Sequence, residues 1–471
     1  MASPEIVIVG AGPAGLAAGI EAARLSATVL VLDEYAAPGG QYYRQPAPGL
    51  TAAGDRPSFA HSREGQERIE DARRAGVEFL SGALVWGGFA DGTIALQVGD
   101  ASRTLSPAKL ILAGGAQDRP VAFPGWTLPG VMTAGAAQAL VRGQGVLPGR
   151  RILMAGTGPL QIAMAAQLVE AGAQVTAVLE AHRPSALLGM APHFWGQWGR
   201  LQEGWAYTRT LRAARVPIRF GRTVLRVAGN GALSRVVTVA LDGDWHPIPG
   251  SEVEVEVDTL CLGFGLVPNT KLARLFGCRI THDPSRGGLV PVHDEQMQTS
   301  RPGIFVAGEA AGIAGAKAAE LQGRIAGLSA AVALGKGKGG DAGQRVETAR
   351  HALAVELRFA RALNRIFVLR LGLRALVTDE TIICRCEGIT AGVLRATVAE
   401  WTRTVDAVRT VSRAGFGRCQ GATCETLVAD LLSQATGASI GDVGQFHVRP
   451  PLKPIPLGAL ADLAADRSDA V

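Results

Sequence analysis

Apolar positions at the start of the chain fall into a run, a helical rhythm and a second run. Residues 5–9 form a short apolar stretch closed by Gly10, residues 13–25 repeat apolar side chains at helical spacing, and residues 28–32 are apolar again and end at Asp33. The pattern predicts a strand, a helix and a strand that close into a βαβ unit. Its connection is Gly10-Ala-Gly12-Pro-Ala-Gly15, and Asp33 stands where the second strand ends. Each part has a physical task in holding a dinucleotide: Gly10 turns the chain, Gly12 admits a pyrophosphate to the backbone, and Gly15 lets helix and strand pack. The helix N-terminus supplies N–H donors, and the acid receives ribose hydroxyls.

The rhythm returns at residue 151. Arg151-Ile-Leu-Met-Ala leads into Gly156-Thr-Gly158-Pro-Leu-Gln161, a helix to about residue 171 and a strand over 174–179 that ends at Glu180. Two such units in one chain imply a duplication, or one domain inserted in another. Gln161 occupies the place of the third glycine. Its bulk is expected to push the helix from the strand and narrow the phosphate site, leaving a dinucleotide fold without a working nicotinamide site. If the site does bind, Glu180 favours NAD, because an acid repels a 2′-phosphate.

Composition narrows the class. At 471 residues, 47% hydrophobic, with 61 glycines and 25 prolines, the chain fits an α/β enzyme of two or three domains. The 19% charged fraction is low and hints at surface buried in a complex. The net charge of +6 is thinly spread, with no Lys/Arg run interleaved with aromatics, so nucleic-acid binding is not expected. No apolar stretch reaches the roughly 18 residues that span a bilayer, and residues 1–5 lack a signal-peptide pattern. A reducing cytoplasmic setting is expected, because four of the six cysteines form one metal-like cluster and not a disulfide framework.

That cluster is Cys384-Arg-Cys386 followed, after a long spacer, by Cys419-Gln-Gly-Ala-Thr-Cys424. Four thiolates complete a [2Fe–2S] cluster or a zinc site, or remain free thiols. Zinc prefers wider C-x2-4-C knuckles, and a redox dinucleotide on the first glycine loop would give a reason for a redox cluster. Residues 390–402 and 405–412 between the pairs read as short helices capped by Thr390 and Thr404. Gly415, Gly417 and Gly421 are expected to let backbone N–H groups approach the sulfurs. Cys261 and Cys278 read as buried structural thiols.

Further motifs carry a resemblance. Leu110-Ile-Leu-Ala-Gly114-Gly-Ala116, Asp258-Thr-Leu-Cys-Leu-Gly263-Phe-Gly-Leu-Val-Pro268-Asn269 and Thr299-Ser-Arg-Pro-Gly303-Ile-Phe-Val-Ala-Gly308-Glu309 resemble the two domain exits and the late flavin motif of two-dinucleotide-binding-domain flavoproteins, over residues 4–335. Glu309 is one methylene longer than that motif's usual aspartate. Gly39-Gly-Gln-Tyr-Tyr-Arg44 holds no redox cysteine pair, which excludes disulfide reduction. These residues, with Arg119-Pro-Val-Ala-Phe-Pro-Gly-Trp, Cys384-Arg-Cys-Glu387 and Arg449-Pro-Pro-Leu-Lys, resemble the α subunit of hetero-oligomeric amine dehydrogenases: opine oxidases, dye-linked D-hydroxyproline and L-proline dehydrogenases and hydrogen cyanide synthase. The cysteine region resembles the bacterioferritin-associated ferredoxin domain, which usually ends in C-x2-C.

The resemblance implies an α/β fold: a Rossmann-like FAD domain from 1–120 and 285–340, a second Rossmann-like domain inserted over 121–284, a helical linker over 341–380, a small, mostly helical [2Fe–2S] domain over 381–450 and a tail over 451–471. It implies that FAD contacts Gly10, Gly12, Pro13, Ala14, Gly15, Asp33, Glu34, Gly40, Gln41, Arg44, Val85, Ala113, Gly114, Gly308 and Glu309, and that Cys384, Cys386, Cys419 and Cys424 hold the cluster. It also implies an FAD-containing β subunit of the amino-acid-oxidase type that oxidises the amine, and in some members a small ferredoxin-like γ subunit, an FMN between α and β, or ATP in place of FAD.

Other features stay open at this stage. Trp195, Trp198 and Trp205 with Phe194 and Tyr207 read as core or as subunit contact. The basic stretch over 345–374 reads as a packed helical linker with its arginines on a solvated face. Lys317 and Glu320 are placed to contact a flavin, or form a surface pair. Two rival functions remain: a stand-alone NAD(P)H-dependent reductase, and a scaffold with a structural nucleotide.

Overall fold

The computed structural model describes residues 4–47, 60–185, 189, 191–194, 197–337 and 340–468. Strand β1 (Ile6–Val9), helix α1 (Pro13–Arg24) and strand β2 (Val29–Asp33) form where the apolar rhythm places them, followed by helix α2 (Ala60–Arg74) and strand β3 (Glu78–Ser81). Strands β4 (Ala83–Gly88), β5 (Ile94–Val98) and β6 (Ala101–Leu105) make a three-stranded antiparallel sheet. Strand β7 (Lys109–Leu112) then returns to β1, and β20 (Ile304–Val306) pairs β7 from beyond the whole second unit, giving a parallel sheet in the order β20-β7-β1-β2-β3. Ile6, Val7 and Ile8 are fully buried at its centre, each worth about 1.5–3 kcal/mol on burial.

The second unit repeats this plan. Strands β9 (Val131–Thr133), β10 (Arg151–Gly156), β11 (Gln174–Glu180), β12 (Ile218–Phe220) and β16 (Thr259–Gly263) form a parallel sheet in the order β12-β11-β10-β16-β9. A three-stranded antiparallel sheet of β13 (Arg222–Ala228), β14 (Arg235–Ala240) and β15 (Val253–Glu256) accompanies it. The chain leaves the first unit through β8 (Ala116–Asp118) and the second through β17 (Leu266–Pro268), and these two exits pair antiparallel, Val267 opposite Gln117; the hairpin β18 (Ile280–Asp283) and β19 (Gly288–Pro291) follows. The duplication is thus stitched together at its crossovers.

Two helices cover the first sheet. Helix α1 crosses the helix Ala316–Val332 with the backbones almost touching: a Cβ on Gly323 would lie 2.1 Å from the Ala14 carbonyl oxygen, and one on Gly327 2.2 Å from that of Ala18. The helix Ala342–Ile366 packs beside them and ends before a 3-10 turn at Leu371–Leu376, so the linker over 345–374 is two elements. Its arginines divide: Arg358, Arg361, Arg365 and Arg370 are exposed, as the solvated face requires, whereas three others are half-buried and paired. Arg345 joins Arg324 on the buried Glu21 carboxylate, Arg350 meets Glu295 and Glu347, and Arg374 bonds Asp430. A buried Glu21 demands such partners, which draws the arginines inward.

The C-terminal unit holds the hairpin β21 (Ile382–Cys384) and β22 (Ile389–Thr390), then helices Ala391–Glu400, Val405–Ser412 and Glu425–Thr436. Thr390 and Thr404 cap the first two by accepting from Val393 and Ala407 N–H. The tail returns to the first unit, where Leu452 N–H donates to Trp86 and Lys453 pairs with Glu34. Trp198 and Trp205, on helix Trp198–Ala213, are 59% and 64% exposed, so they are not core; Leu211 and Tyr207 face inward instead. Trp195 lies outside the described residues. Cys261 is fully buried, which pushes its thiol up to about 12, and the buried Cys278 bonds Thr299.

Replacing Gly323 tests the helix crossing. Gly323→Ala is expected to cost about 2 kcal/mol or more by overpacking, read as a lowered denaturation midpoint. Gly343→Ala is the control: it sits in an exposed helical turn with nothing within 4 Å of its Cβ position, and should be neutral or slightly stabilising.

Candidate functional site

The first glycine loop is an open cradle. Gly10 is held at φ +107°, where a Cβ would meet the Ala113 carbonyl at 2.3 Å, and a Cβ on Gly15 would meet the Gly10 carbonyl at 1.8 Å. At Gly12 the space is free, with only the Gly40 Cα as near as 3.9 Å. The Asp33 carboxylate accepts from Ala11 N–H at 2.6 Å and Tyr35 N–H at 2.9 Å, so it shapes the loop. Burial raises its pKa against those two bonds. Glu34 is exposed and tied to Lys453.

The remaining expected contacts surround this cradle unevenly. Pro13 and Ala14 open helix α1, and a Cβ on Gly308 would press on the Ala14 Cβ at 2.8 Å. Gly40 sits against Gly12. Arg44 donates to Gln41 at 2.6 Å and lies over the Tyr35 ring, so Gln41, Arg44 and Tyr35 make one polar patch at the rim. Ala113 and Gly114 follow β7, where Asn269 N–H bonds the adjoining Gly115 carbonyl. Val85 is buried within β4. The carboxyl of Glu309 is pushed up to about 6 by burial, opposed by a bond from Gly315 N–H. Glu320 accepts from Tyr43 and lies 3.8 Å from Arg68, while Lys317 is exposed, so the two do not form a surface pair.

The second loop differs in one decisive respect: its own side chains fill it. Glu180 accepts from Thr157 Oγ1, Gly158 N–H, Gln161 Nε2 and His182 N–H, at 2.7, 2.9, 2.8 and 2.9 Å. Asp33 takes two donors and Glu180 takes four. Gln161 is fully buried, and its Cβ lies 3.2 Å from the Cβ position of Gly263. The missing side chain at Gly263 is what makes room for Gln161 within the packed unit. Phe367, just past the long helix, lies 3.5 Å from the Cβ position of Gly158 and meets His182 edge-on.

The four cysteines converge in pairs. Cys384 and Cys424, both buried, share a thiol hydrogen bond, and Cys386 and Cys419 share another. The bond from Cys424 brings the Cys384 thiol down to about 5, aided by backbone N–H groups of Gly415, Glu387 and Cys386, while the Cys424 thiol is raised. No three His, Cys, Asp or Glu side chains among the described residues surround a single-ion position. Two pairs of thiols, with N–H groups aimed at sulfur, fit a two-iron cluster with two thiolates on each iron. Gly415 does lend its N–H, but Gly415 and Gly421 also make space for Phe446, whose ring lies 2.6 and 2.8 Å from their Cβ positions.

Residues outside the cysteine motif pin this loop to the flavoprotein body, and the sequence carries no signal for them. Gln117 of β8 donates to Ala422 at 2.8 Å, and Lys271 donates to the carbonyls of Gln420 at 2.8 Å and Cys419 at 3.4 Å. Arg274 makes a two-pronged bond to Glu425 at 2.9 and 3.2 Å and also reaches the Phe446 carbonyl. Trp126 donates to the Ile382 carbonyl at 2.6 Å. The loop therefore rests on the stitched crossovers, a short step along the chain from Gly114.

Residues 4–335 match the family described as pyridine nucleotide-disulphide oxidoreductase, and residues 382–434 match the BFD-like [2Fe-2S] binding domain. The chain belongs to the pyridine nucleotide-disulphide oxidoreductase family. It is 32% identical to an opine oxidase subunit of Rhizobium meliloti, covering 98% of this chain and 87% of that one. It is 33% identical to hydrogen cyanide synthase subunit HcnB of Pseudomonas aeruginosa, over 98% and 99% of the two chains. The L-proline dehydrogenase structure from P. horikoshii shares the fold at a TM-score of 0.69 and 21% identity, over 97% of this chain and 79% of that one. This flavoprotein is an oxidoreductase subunit of the kind found in opine oxidase and hydrogen cyanide synthase: the larger match implies a flavin and the smaller a [2Fe–2S] cluster. Among the described residues, no helix is long and apolar enough to cross a membrane.

Arg274→Met is expected to leave the buried Glu425 without its cation, with Phe446 N–H still bonded to it, at a cost of about 3–5 kcal/mol. Amide hydrogen exchange over residues 419–436 should quicken while that of β1 and β7 stays unchanged.

Proposed function

We propose that this chain is the electron-transfer α subunit of a hetero-oligomeric amine dehydrogenase. An FAD-containing, amino-acid-oxidase-like β subunit removes two electrons from a CH–NH or CH–NH2 donor such as an opine, proline or hydroxyproline. Gly10, Gly12, Gly15, Asp33, Gly308 and Glu309 would hold the dinucleotide that accepts those electrons, and Cys384, Cys386, Cys419 and Cys424 would hold the cluster that passes them on. A bound flavin supplies the conversion from electron pairs to single electrons. The chain's own residues orient and connect the two centres.

The observation that carries this reading is the seat of the cysteine loop. Gln117, Lys271 and Arg274 hold it on the crossover that begins at Gly114, on the rim of the open first cradle. The filled second loop speaks against the stand-alone NAD(P)H reductase, because Glu180 has no free face for a ribose and Phe367 covers Gly158. Both relatives are named as subunits, of opine oxidase and of hydrogen cyanide synthase, which supports a multi-subunit assembly. An FMN site shared with β, and a small γ subunit, are compatible additions.

Co-expression with an amino-acid-oxidase-like β subunit is expected to give a stable hetero-oligomer that reduces a dye with an imino acid or opine donor. The chain alone should reduce none. Full amine-dependent turnover by the isolated chain contradicts the subunit reading. Purified chain should carry roughly two irons and two acid-labile sulfides, and Cys419→Ser should lose both while keeping its nucleotide.

Gly12→Val is expected to abolish dinucleotide binding, because its γ-carbons enter the pyrophosphate space. Gln161→Ala should leave nucleotide content unchanged. The nucleotide released on denaturation should be FAD; release of ATP alone would move the flavin to the subunit interface. NADH should fail to bleach the flavin.

A further inference from the structure

The cluster domain has an inner and an outer side. The inner side is the loop from Cys419 to Cys424, whose carbonyls at Cys419, Gln420 and Ala422 are taken by Lys271 and Gln117. Cys384 and Cys424 are buried, whereas Cys386 is exposed. Gly417 marks what surrounds that exposed thiol, since a Cβ there would lie 2.2 Å from the Cys386 Cβ. The residues flanking Gly417, Phe416 and Arg418, therefore stand at the rim of Cys386, and both are exposed. Arg385 adjoins Cys386 in sequence and is exposed. Arg413 reaches Glu387 at 3.5 Å with its side chain 71% exposed. Three exposed arginines and one glutamate leave this rim positive, and in its midst stands Phe416, with the Arg409 guanidinium over its ring.

We propose that the outer rim at Cys386 is the docking surface for an acidic one-electron carrier protein, which takes the electron from the cluster. The inference rests on the reading that this chain passes electrons through the cluster, and it names the class of acceptor. One electron leaves the reduced cluster and enters the carrier's oxidised metal centre; no bond breaks and no proton moves. The exposed rim at Cys386 is not among the contacts that Lys271 and Gln117 make with the loop, so a carrier can dock there with the cluster loop still seated. A weak, charge-steered contact of this kind is fast to form and fast to leave.

The test uses the full chain reduced by dithionite, so that it needs no amine and no β subunit. It is mixed with oxidised plastocyanin, an acidic carrier, or with cytochrome c, a basic one, and loss of the reduced-cluster signal is followed. Oxidation by plastocyanin is expected to slow about tenfold or more from low to half-molar salt. Arg418→Glu and Arg413→Asn are expected to slow it about tenfold at low salt, the second keeping a residue that tolerates the left-handed backbone at φ +65°. Calorimetric binding of the oxidised pair, where no electron moves, should weaken in the same variants. Iron content and oxidation by a small neutral dye should be unchanged in both. Salt-independent rates, or faster oxidation by cytochrome c at low salt, overturn the proposal. Failure of the dye to oxidise the cluster would instead contradict the electron-transfer reading itself.

Discussion

The ion pair between Arg274 and Glu425 is the constraint on which the arrangement depends. Its side chains are 12% and 10% exposed, so each charge has surrendered most of its water and is held by the other. The energetic asymmetry of such a pair matters more than its net worth: formed, it is close to neutral; broken, it leaves a buried charge. The pair therefore acts as a registration device. It sets the helix Glu425–Thr436, and with it Cys424, against the segment that follows β17. Lys271, half-buried and with its pKa lowered by desolvation, adds a second fixed contact at Cys419 and Gln420. A cluster domain joined by a flexible tether would sample many distances to the dinucleotide cradle. Here one distance is selected.

The same duplicated fold has been put to two uses. Both loops place a carboxylate at the end of the second strand and bond it back to the glycine turn. At Asp33 the bonds come only from backbone, and open space remains at Gly12. At Glu180 a threonine and a glutamine side chain join in, and Phe367 lies over the turn. One substitution, glycine to glutamine at position 161, accounts for much of this difference, since the amide satisfies the acid that a ribose would otherwise meet. On the proposed function, the filled second loop leaves a partner chain as the source of electrons.

Much of this was legible in the sequence because it depends on local chemistry. The βαβ periodicity placed β1, α1, β2, β10 and β11, threonine caps marked two short helices, and cysteine spacing marked the cluster. The expected displacement of the second helix by Gln161 did not anticipate Gly263, whose missing side chain opens the needed space from β16, a strand remote in sequence. Nor did any local pattern reveal Gln117, Lys271 and Arg274. Each is an ordinary surface-type residue whose role exists only once β8 and β17 pair. The tryptophans of helix Trp198–Ala213 were open to a reading as core, and the fold turns both of them outward. Long-range pairing decides which ordinary residues matter, and a single sequence does not display it.

The most direct measurement is magnetic coupling between the two centres in the intact chain. With the flavin held as its radical and the cluster reduced, pulsed electron paramagnetic resonance reads how strongly the cluster speeds relaxation of the radical. A cluster loop pinned by Gln117, Lys271 and Arg274 predicts fast relaxation with a single distance, broadened and weakened in Arg274→Met. A radical that relaxes as an isolated flavin would contradict the account.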